Sequence, residues 1–274
     1  MGRVVRERIV AGRTVLTQIK MNSPRPGKRR AKNNPTSEAV QKNNDRIAER
    51  NLTAILNANF HPGDWHITLT YAEVLPLEQE KKELKNFIAR MRREFKKLDK
   101  EFKYVLVTEY KNKRPHHHMV MNYIDLQTIY RQWRFGRIRS TPMERSGNYN
   151  VLAAYLIKET SKTFRLGENA MKKRWCASKN LERPIVVREV MTSEALFDKP
   201  RAIKGYSIDP DSINYFKHPF TQMEHLEYIQ ISTDPIPRIK KLRGKTVRGE
   251  SFARFENIRQ LELTDFDEYE WRML

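Results

Sequence analysis

The sequence predicts an α+β fold in which a central, mostly antiparallel sheet is flanked by helices. Short segments that alternate apolar and polar residues stand between longer segments with helical periodicity. The two clearest strand segments are joined by a short polar connection, which favours an antiparallel hairpin over a parallel crossover. With 274 residues, the chain is long enough for one large domain or two small ones with a hydrophobic core.

The composition points to a polyanionic partner. Lys and Arg number 53 against 33 Asp and Glu, a formal net charge of +20. Because 12 Phe, 11 Tyr and 4 Trp add stacking surfaces, nucleic acid is the first candidate and an anionic membrane surface the second. No apolar run approaches the length of a membrane-spanning helix, and the N-terminus lacks an apolar signal core. The single cysteine, Cys176, excludes an internal disulfide and a Cys-rich zinc module, so the reducing cytoplasm is the expected compartment.

The chain begins with a basic segment. Residues 1–35 carry ten Lys or Arg and one Glu, so we expect a mostly flexible arm, with room for a short strand within Val4–Leu16. A solubilising tail and an arm that grips phosphates explain this segment about equally well.

A helix, a strand and a second helix are expected next. Residues 36–58 form the first helix, which a Thr-Ser-Glu start signal opens. Residues 65–71 alternate with period two, which places Thr68 and Thr70 opposite the apolar face of a strand. Residues 77–98 have the clearest amphipathic pattern and should cover one face of the sheet.

Three histidines stand on the second strand of the predicted hairpin. Alternation puts His116 and His118 on one face and His117 on the other. Two neutral imidazoles are half of a divalent-metal site, and Glu109, near the end of the first strand, is the obvious further ligand. A solvated strand end and a structural zinc fragment are the alternatives. His66, on the neighbouring strand, is expected to be an exposed histidine rather than a further metal neighbour.

Arginines alternate with aromatic residues after the hairpin. Asp125 can cap a short helix that runs to about Arg134, and residues 131–139 have a composition suited to unpaired bases and their phosphates. Trp133 within this run is equally compatible with the core.

A last helix, from about residue 150 to 162, carries Tyr155, Lys158 and Lys162 on one face. A tyrosine hydroxyl beside an ammonium group is a plausible nucleophile, although Tyr-x-x-Lys is also common on ordinary helix surfaces. The same helix is expected to face the sheet with Val151, Ala154 and Ile157. Farther on, strands are expected at 185–187 and 227–232. An acidic tail at 256–274 could fold over the basic groove, dock a partner or remain solvated.

Together, the threonine strand, the Glu and His-x-His hairpin and the Tyr-x-x-Lys helix resemble the three motifs of the HUH endonucleases. The resemblance covers roughly residues 50–185 and is specific to the rolling-circle replication initiators of small plasmids and phages. It implies a ferredoxin- or RRM-like core, with a nucleophile and an assisting lysine at Tyr155 and Lys158. The implied metal ligands are His116, His118 and Glu109.

This family's activity is metal-dependent nicking and joining of single-stranded DNA. The resemblance implies Mg²⁺ or Mn²⁺ as cofactor, a 5′-phosphotyrosyl intermediate and a free 3′-OH primer. The implied partners are single-stranded DNA or an origin hairpin, with a separate host helicase and polymerase. The residues expected to contact DNA are Thr68, Thr70, Arg131, Trp133, Arg134, Arg137, Arg139 and Lys162.

On this interpretation the chain has three parts. A basic arm (1–35) is followed by an endonuclease domain with a leading helix (36–200) and a C-terminal extension that ends in the acidic tail (201–274). A relaxase or a single-strand transposase would use the same chemistry. A non-catalytic basic nucleic-acid-binding protein would explain the charge and the aromatics but not the order of the three motifs.

Overall fold

The computed structural model describes residues 3–22, 37–111, 114–165, 174–196, 198–218, 222–234 and 245–247. Its elements, in chain order, are β1 (Arg3–Ala11), β2 (Thr14–Asn22), α1 (Glu38–Asn59), β3 (Trp65–Thr70), α2 (Leu77–Lys97), β4 (Tyr104–Lys111), β5 (Arg114–Met121), α3 (Leu126–Gln132), β6 (Ile138–Pro142), α4 (Asn150–Arg165), β7 (Cys176–Ala177), β8 (Ile185–Met191), β9 (Tyr206–Lys217), β10 (Glu224–Ser232) and β11 (Lys245–Val247). Helices and antiparallel strands of this kind confirm the predicted α+β class. The acidic tail at 256–274 lies outside the described residues.

Two compact units divide the chain, and each is built on its own sheet. One unit comprises the described residues of 1–58 and 183–253, and the other comprises the described residues of 59–182. The first contains a six-stranded sheet in the order β11-β8-β1-β2-β10-β9, and the second a five-stranded sheet in the order β6-β3-β5-β4-β7. All described strand pairs are antiparallel, as predicted.

The first unit corrects the expectation of a flexible N-terminal arm. Residues 3–22 form a hairpin whose two strands are interior strands of the six-stranded sheet, between β8 and β10. Apolar side chains on both strands are buried, and their burial outweighs the charge that suggested an arm. The part of the predicted extension at 206–232 supplies β9 and β10 of this same sheet, so the boundary expected at residue 200 does not divide the units.

The turn between β1 and β2 requires glycine. Gly12 has φ +55°, and a Cβ atom there would lie 2.0 Å from the main-chain oxygen of Asn57 on α1. No side chain fits so close to a helix backbone. The hairpin therefore packs directly on α1 within this unit.

The second unit places its core on one face of the five-stranded sheet. Ile67, Leu69 and Met119 point from the strands toward the buried stripe of α2. The members of that stripe are Leu84, Phe87, Ile88, Met91 and Phe95. The amphipathic helix expected at 77–98 is thus confirmed, with Leu98 left 53% exposed just beyond its end.

Helices α3 and α4 complete this unit. The Asp125 carboxylate accepts a hydrogen bond from the Thr128 backbone N–H at 3.3 Å, which confirms the predicted cap, although α3 ends at Gln132. Helix α4 packs against β4 through a buried face. Val151 is 73% exposed, so the expectation that it faces the sheet is wrong for this residue. Ile157 is buried as expected, and Ala153 is buried with it. None of the described helices is both long and apolar enough to span a membrane.

Candidate active site

The three histidines lie on β5, the central strand of the five-stranded sheet, and alternate between its two faces. On β5, His118 lies opposite Thr68 of β3, and His116 lies opposite Glu109 of β4. Directly opposed residues of antiparallel strands point to the same face, so both histidines share a face with Thr68 and Glu109. This is the face that the sequence motifs predict to carry the site.

His117 points the other way, into the core. Its Nδ1 lies 2.9 Å from the Thr108 hydroxyl and its Nε2 lies 3.2 Å from the Tyr71 hydroxyl. Burial, followed by the neighbouring His118 and His116, lowers the pKa of His117 to about 3. His117 is therefore a neutral, fully hydrogen-bonded core residue.

His118 is the centre of the site. Its Nε2 lies 3.5 Å from Oε2 of Glu109, and its Nδ1 lies 3.3 Å from the Thr68 hydroxyl. The His66 ring stacks on it with centroids 5.6 Å apart and an interplanar angle of 23°. The Tyr155 ring meets it edge-on, with centroids 5.5 Å apart and an angle of 84°.

Burial keeps the two stacked imidazoles uncharged. It is the largest cause that lowers the pKa of His118 to about 4, with further lowering from His66 and His116, while Glu159 opposes the shift. The pKa of His66 also falls to about 4, through burial and then through Arg139. Both rings are neutral at pH 7, which is the form that can ligate a metal.

His66 belongs to this cluster, contrary to the expectation of an exposed histidine. Its Nε2 is buried and has no hydrogen-bond partner among the described residues, and the same holds for Nε2 of His118. Period-two alternation puts His66 on the face of Thr68, so the strand pattern did contain this signal. What the sequence lacked was the register between β3 and β5, which sets His66 diagonally across from His118.

The residues fit a divalent cation in donor type. Two imidazoles and the Glu109 carboxylate suit such an ion, and the buried Nε2 of His118 lacks a hydrogen-bond partner in the described part of the structure. His116 is half-buried on the same face. Within the described residues, no three His, Cys, Asp or Glu side chains are gathered closely enough to hold a metal as they stand. Of the three predicted ligands, His118 and Glu109 are the pair whose Nε2 and Oε2 atoms lie 3.5 Å apart.

Tyr155 projects from α4 beside the histidines. Its side chain is 43% exposed, and its pKa is raised by burial and then by Glu109 and Glu159, whereas Arg139 lowers it. At neutral pH the hydroxyl is therefore protonated. The sequence analysis did not single out Glu159, which follows Tyr155 by one helical turn and so lies on the same helix face.

Two threonines and two arginines expected to bind DNA lie on the face of the site or at its edge. Thr68 contacts His118 as described above, and Arg139 lies opposite Thr68 on β6 with an exposed side chain. The Thr70 hydroxyl donates to the carbonyl of Arg137 at 3.1 Å and accepts from its N–H at 3.3 Å. Thr70 therefore holds the backbone from which the exposed Arg137 side chain projects.

Trp133 is not a stacking platform. It is 4% exposed, its indole N–H donates to the carbonyl oxygen of Thr70 at 3.0 Å, and its ring packs edge-on against Phe87. The expectation that Trp133 contacts DNA is therefore wrong, and the core interpretation is correct. Its apolar surface is used between α2 and the sheet, where no base can reach it.

The remaining candidates are Arg131, Arg134, Lys158 and Lys162. Arg131 is exposed and donates to the Thr128 hydroxyl at 3.2 Å, and Arg134 and Lys158 are exposed as well. The side chain of Lys162 lies outside the described residues. Arg139, not Lys158, is the cation that lowers the pKa of Tyr155.

No curated protein and no solved structure matches the chain significantly. Residues 64–164 match the family model described as replication-associated protein ORF2/G2P, from the start of β3 almost to the end of α4. The match confirms the predicted resemblance: over the residues that carry the site, the chain is similar to a family of replication-associated proteins, consistent with a rolling-circle replication initiator.

Proposed function

We propose that this chain initiates rolling-circle replication by nicking and rejoining single-stranded DNA through Tyr155. The observation that carries the proposal is the edge-on contact of Tyr155 with His118, whose Nε2 lies 3.5 Å from Glu109. A nucleophile on a helix beside an imidazole and carboxylate pair on a sheet is the arrangement that the HUH resemblance implies. The match to a replication-associated family supports a role in DNA replication.

Tyr155 would act as the nucleophile. Its phenolic oxygen attacks the phosphorus, a new O–P bond forms and the bond to the 3′ oxygen breaks. The phenol loses its proton and the departing 3′ oxygen gains one, so a 5′-phosphotyrosine and a free 3′-OH result. The 3′-OH can prime synthesis by a separate polymerase, and the phosphotyrosine retains the bond energy for later joining.

His116, His118 and Glu109 would hold the Mg²⁺ or Mn²⁺ ion. When bound, such an ion polarises a non-bridging phosphate oxygen. If the Thr68 hydroxyl accepts from Nδ1–H of His118, as the 3.3 Å separation allows, the Nε2 lone pair faces Glu109. His66 restrains the ring of His118 by stacking on it. Each of these residues thus prepares His118 for ligation.

Exposed arginines at the edge of the site would hold the strand. Arg139 lowers the pKa of Tyr155, against the larger opposing effects of burial, Glu109 and Glu159, and its exposed guanidinium can pair with a phosphate. Arg137 is fixed at its backbone by Thr70. These contacts suit a single strand or an origin hairpin, and strand separation would be left to a host helicase.

Nicking assays with matched tyrosine variants test the proposal. Purified protein is incubated with single-stranded origin DNA in Mn²⁺ or in EDTA, and the products are separated on a denaturing gel. Tyr155→Phe should bind DNA but not cleave it, whereas Tyr130→Phe, which alters another exposed tyrosine of the same unit, should cleave normally. Cleavage by Tyr155→Phe would eliminate the nucleophile. If the unaltered protein binds its cognate origin tightly but does not cleave it, the alternative of a non-catalytic DNA-binding protein is supported instead.

A further inference from the structure

A second polar cluster lies in the other unit, on the face of the six-stranded sheet that α1 covers. Lys20 of β2 lies opposite His225 of β10, which in turn lies opposite Phe216 of β9. The guanidinium carbon of Arg46, on α1, lies 3.3 Å from the centroid of the Phe216 ring. The His218 ring stacks on His225, with centroids 5.4 Å apart and an interplanar angle of 29°.

His225 forms the floor of this cluster. It is 8% exposed, and its Nδ1 is buried without a hydrogen-bond partner among the described residues. An unpaired buried nitrogen is costly unless a ligand or a water molecule supplies the missing partner. Lys20, Arg46 and His218 are only half-buried, so the cluster can be reached from solvent.

The surroundings of both imidazoles are cationic. Burial is the main cause that lowers the pKa of His225 to about 4, and His218, Lys20, Arg46 and Arg50 lower it further. The pKa of His218 is lowered by burial, Arg46 and Lys20. Such an environment repels a divalent cation and attracts an anion.

Carboxylates of this face are engaged by side chains, and one of those side chains belongs to the cluster. Nζ of Lys20 lies 3.9 Å from Oε1 of Glu7 and donates to Oε1 of Gln18 at 2.6 Å. Glu7 accepts hydrogen bonds from Arg50 at 3.1 Å and from Arg188 at 2.8 Å. Glu227 accepts one from the side-chain amide of Gln18. Glu227 and Glu49 also act on Arg46, although burial lowers the pKa of Arg46 more strongly than they raise it. Glu7 thus balances part of the charge of Lys20, while Lys20, Arg46 and Arg50 all lower the pKa of His225.

We propose that Lys20, Arg46, His218 and His225 bind a phosphate group of a nucleic-acid backbone. A phosphate offers several acceptor oxygens, and these four side chains offer an ammonium, a guanidinium and two imidazole rings within one small area. The site goes beyond the proposed nicking reaction because it lies in the other unit and needs neither Tyr155 nor a metal. It would fix the position of DNA on the protein without reading its sequence.

Inorganic phosphate is the first probe. The full chain is titrated with phosphate while the histidine Cε1–H signals are followed by NMR, with the signals assigned through His218→Asn and His225→Asn. Both signals should shift, and both pKa values should rise because a neighbouring anion favours the imidazolium form. If neither signal responds to millimolar phosphate, the site is overturned.

Binding of an oligo(dT) strand tests the assignment to nucleic acid. Each phosphate contact contributes about −0.7 to the slope of log Kobs against log salt on single strands. Arg46→Gln and Lys20→Gln should each make the slope shallower, by up to about 0.7. Lys204→Gln, an equal loss of charge at an exposed position of the same unit, should not change it. Thermal unfolding checks that each variant folds. Because the two cluster variants alter different positions, the test does not depend on a single substitution.

Two further outcomes are decisive. If phosphate shifts both histidines but neither variant changes the slope, the site takes a free phosphate and the nucleic-acid assignment is overturned. The same titrations in a Tyr155→Phe background need no cleavage. A failure of the nicking proposal would therefore leave the result at this site intact, and the reverse also holds.

Discussion

Glu7 should make the six-stranded sheet sensitive to acid. Burial alone would raise the pKa of Glu7, but Arg50, Lys20 and Arg188 outweigh it and lower the value from 4.5 to about 2. A difference of roughly 2.5 pKa units corresponds to about 3 kcal/mol of stability. Because the folded-state pKa is the lower one, this contribution is complete above about pH 4.5 and is lost as the pH falls toward 2.

Glu7→Gln tests this reasoning through urea unfolding measured at several pH values. At pH 7 the variant should lose about 3 kcal/mol, because Arg50 and Arg188 keep their charges without the carboxylate between them. The difference from the unaltered protein should shrink steadily below pH 4.5. Glu38→Gln, at an exposed ion pair with Lys42, should change stability by less than about 0.5 kcal/mol. A Glu7→Gln deficit that stays constant between pH 7 and pH 3 would refute the account.

Two other predictions concern the contrast between buried Trp133 and exposed Arg139, and the turn at Gly12. Trp133→Ala should lower the free energy of unfolding by about 3–5 kcal/mol, because a buried ring is removed. Arg139→Gln should change the free energy of unfolding by less than about 0.5 kcal/mol and should weaken DNA binding. If chemical denaturation shows the same loss for both variants, the assignment of Trp133 to the core and of Arg139 to the surface is contradicted. Gly12→Ala should destabilise by more than about 1 kcal/mol, because the new Cβ would lie 2.0 Å from the Asn57 oxygen at φ +55°. A thermal unfolding midpoint equal to that of the unaltered protein would show that the turn is not constrained as described.

Local pattern was enough to predict the sheet of the site. Period-two alternation and the short polar connection predict the hairpin, and the structure confirms both the pairing and the shared face of His116 and His118. The helical period likewise predicts α2 and its buried stripe. These features depend on residues close together in the chain.

The misassigned features depend on distant partners. The sequence of residues 3–22 suggested a basic arm because the strands that pair with this hairpin, β8 and β10, follow more than 150 residues later. Only their pairing places the hairpin in the interior of the sheet. The run of arginines and aromatic residues around Trp133 would look the same in the sequence whether Trp133 stacked on bases or packed against Phe87. Only the three-dimensional packing distinguishes the two roles. His66 was missed as a member of the cluster because its role depends on the register of β3 against β5.

The central claim is that Tyr155 forms the covalent link to DNA. The most direct test is to trap the protein on a single-stranded origin substrate in Mn²⁺, digest the complex and locate the nucleotide-modified peptide by mass spectrometry. The account predicts a 5′-phosphotyrosine at Tyr155, present with Mn²⁺ and absent with EDTA. An adduct on any other residue, or origin cleavage that leaves no covalent adduct, would contradict it.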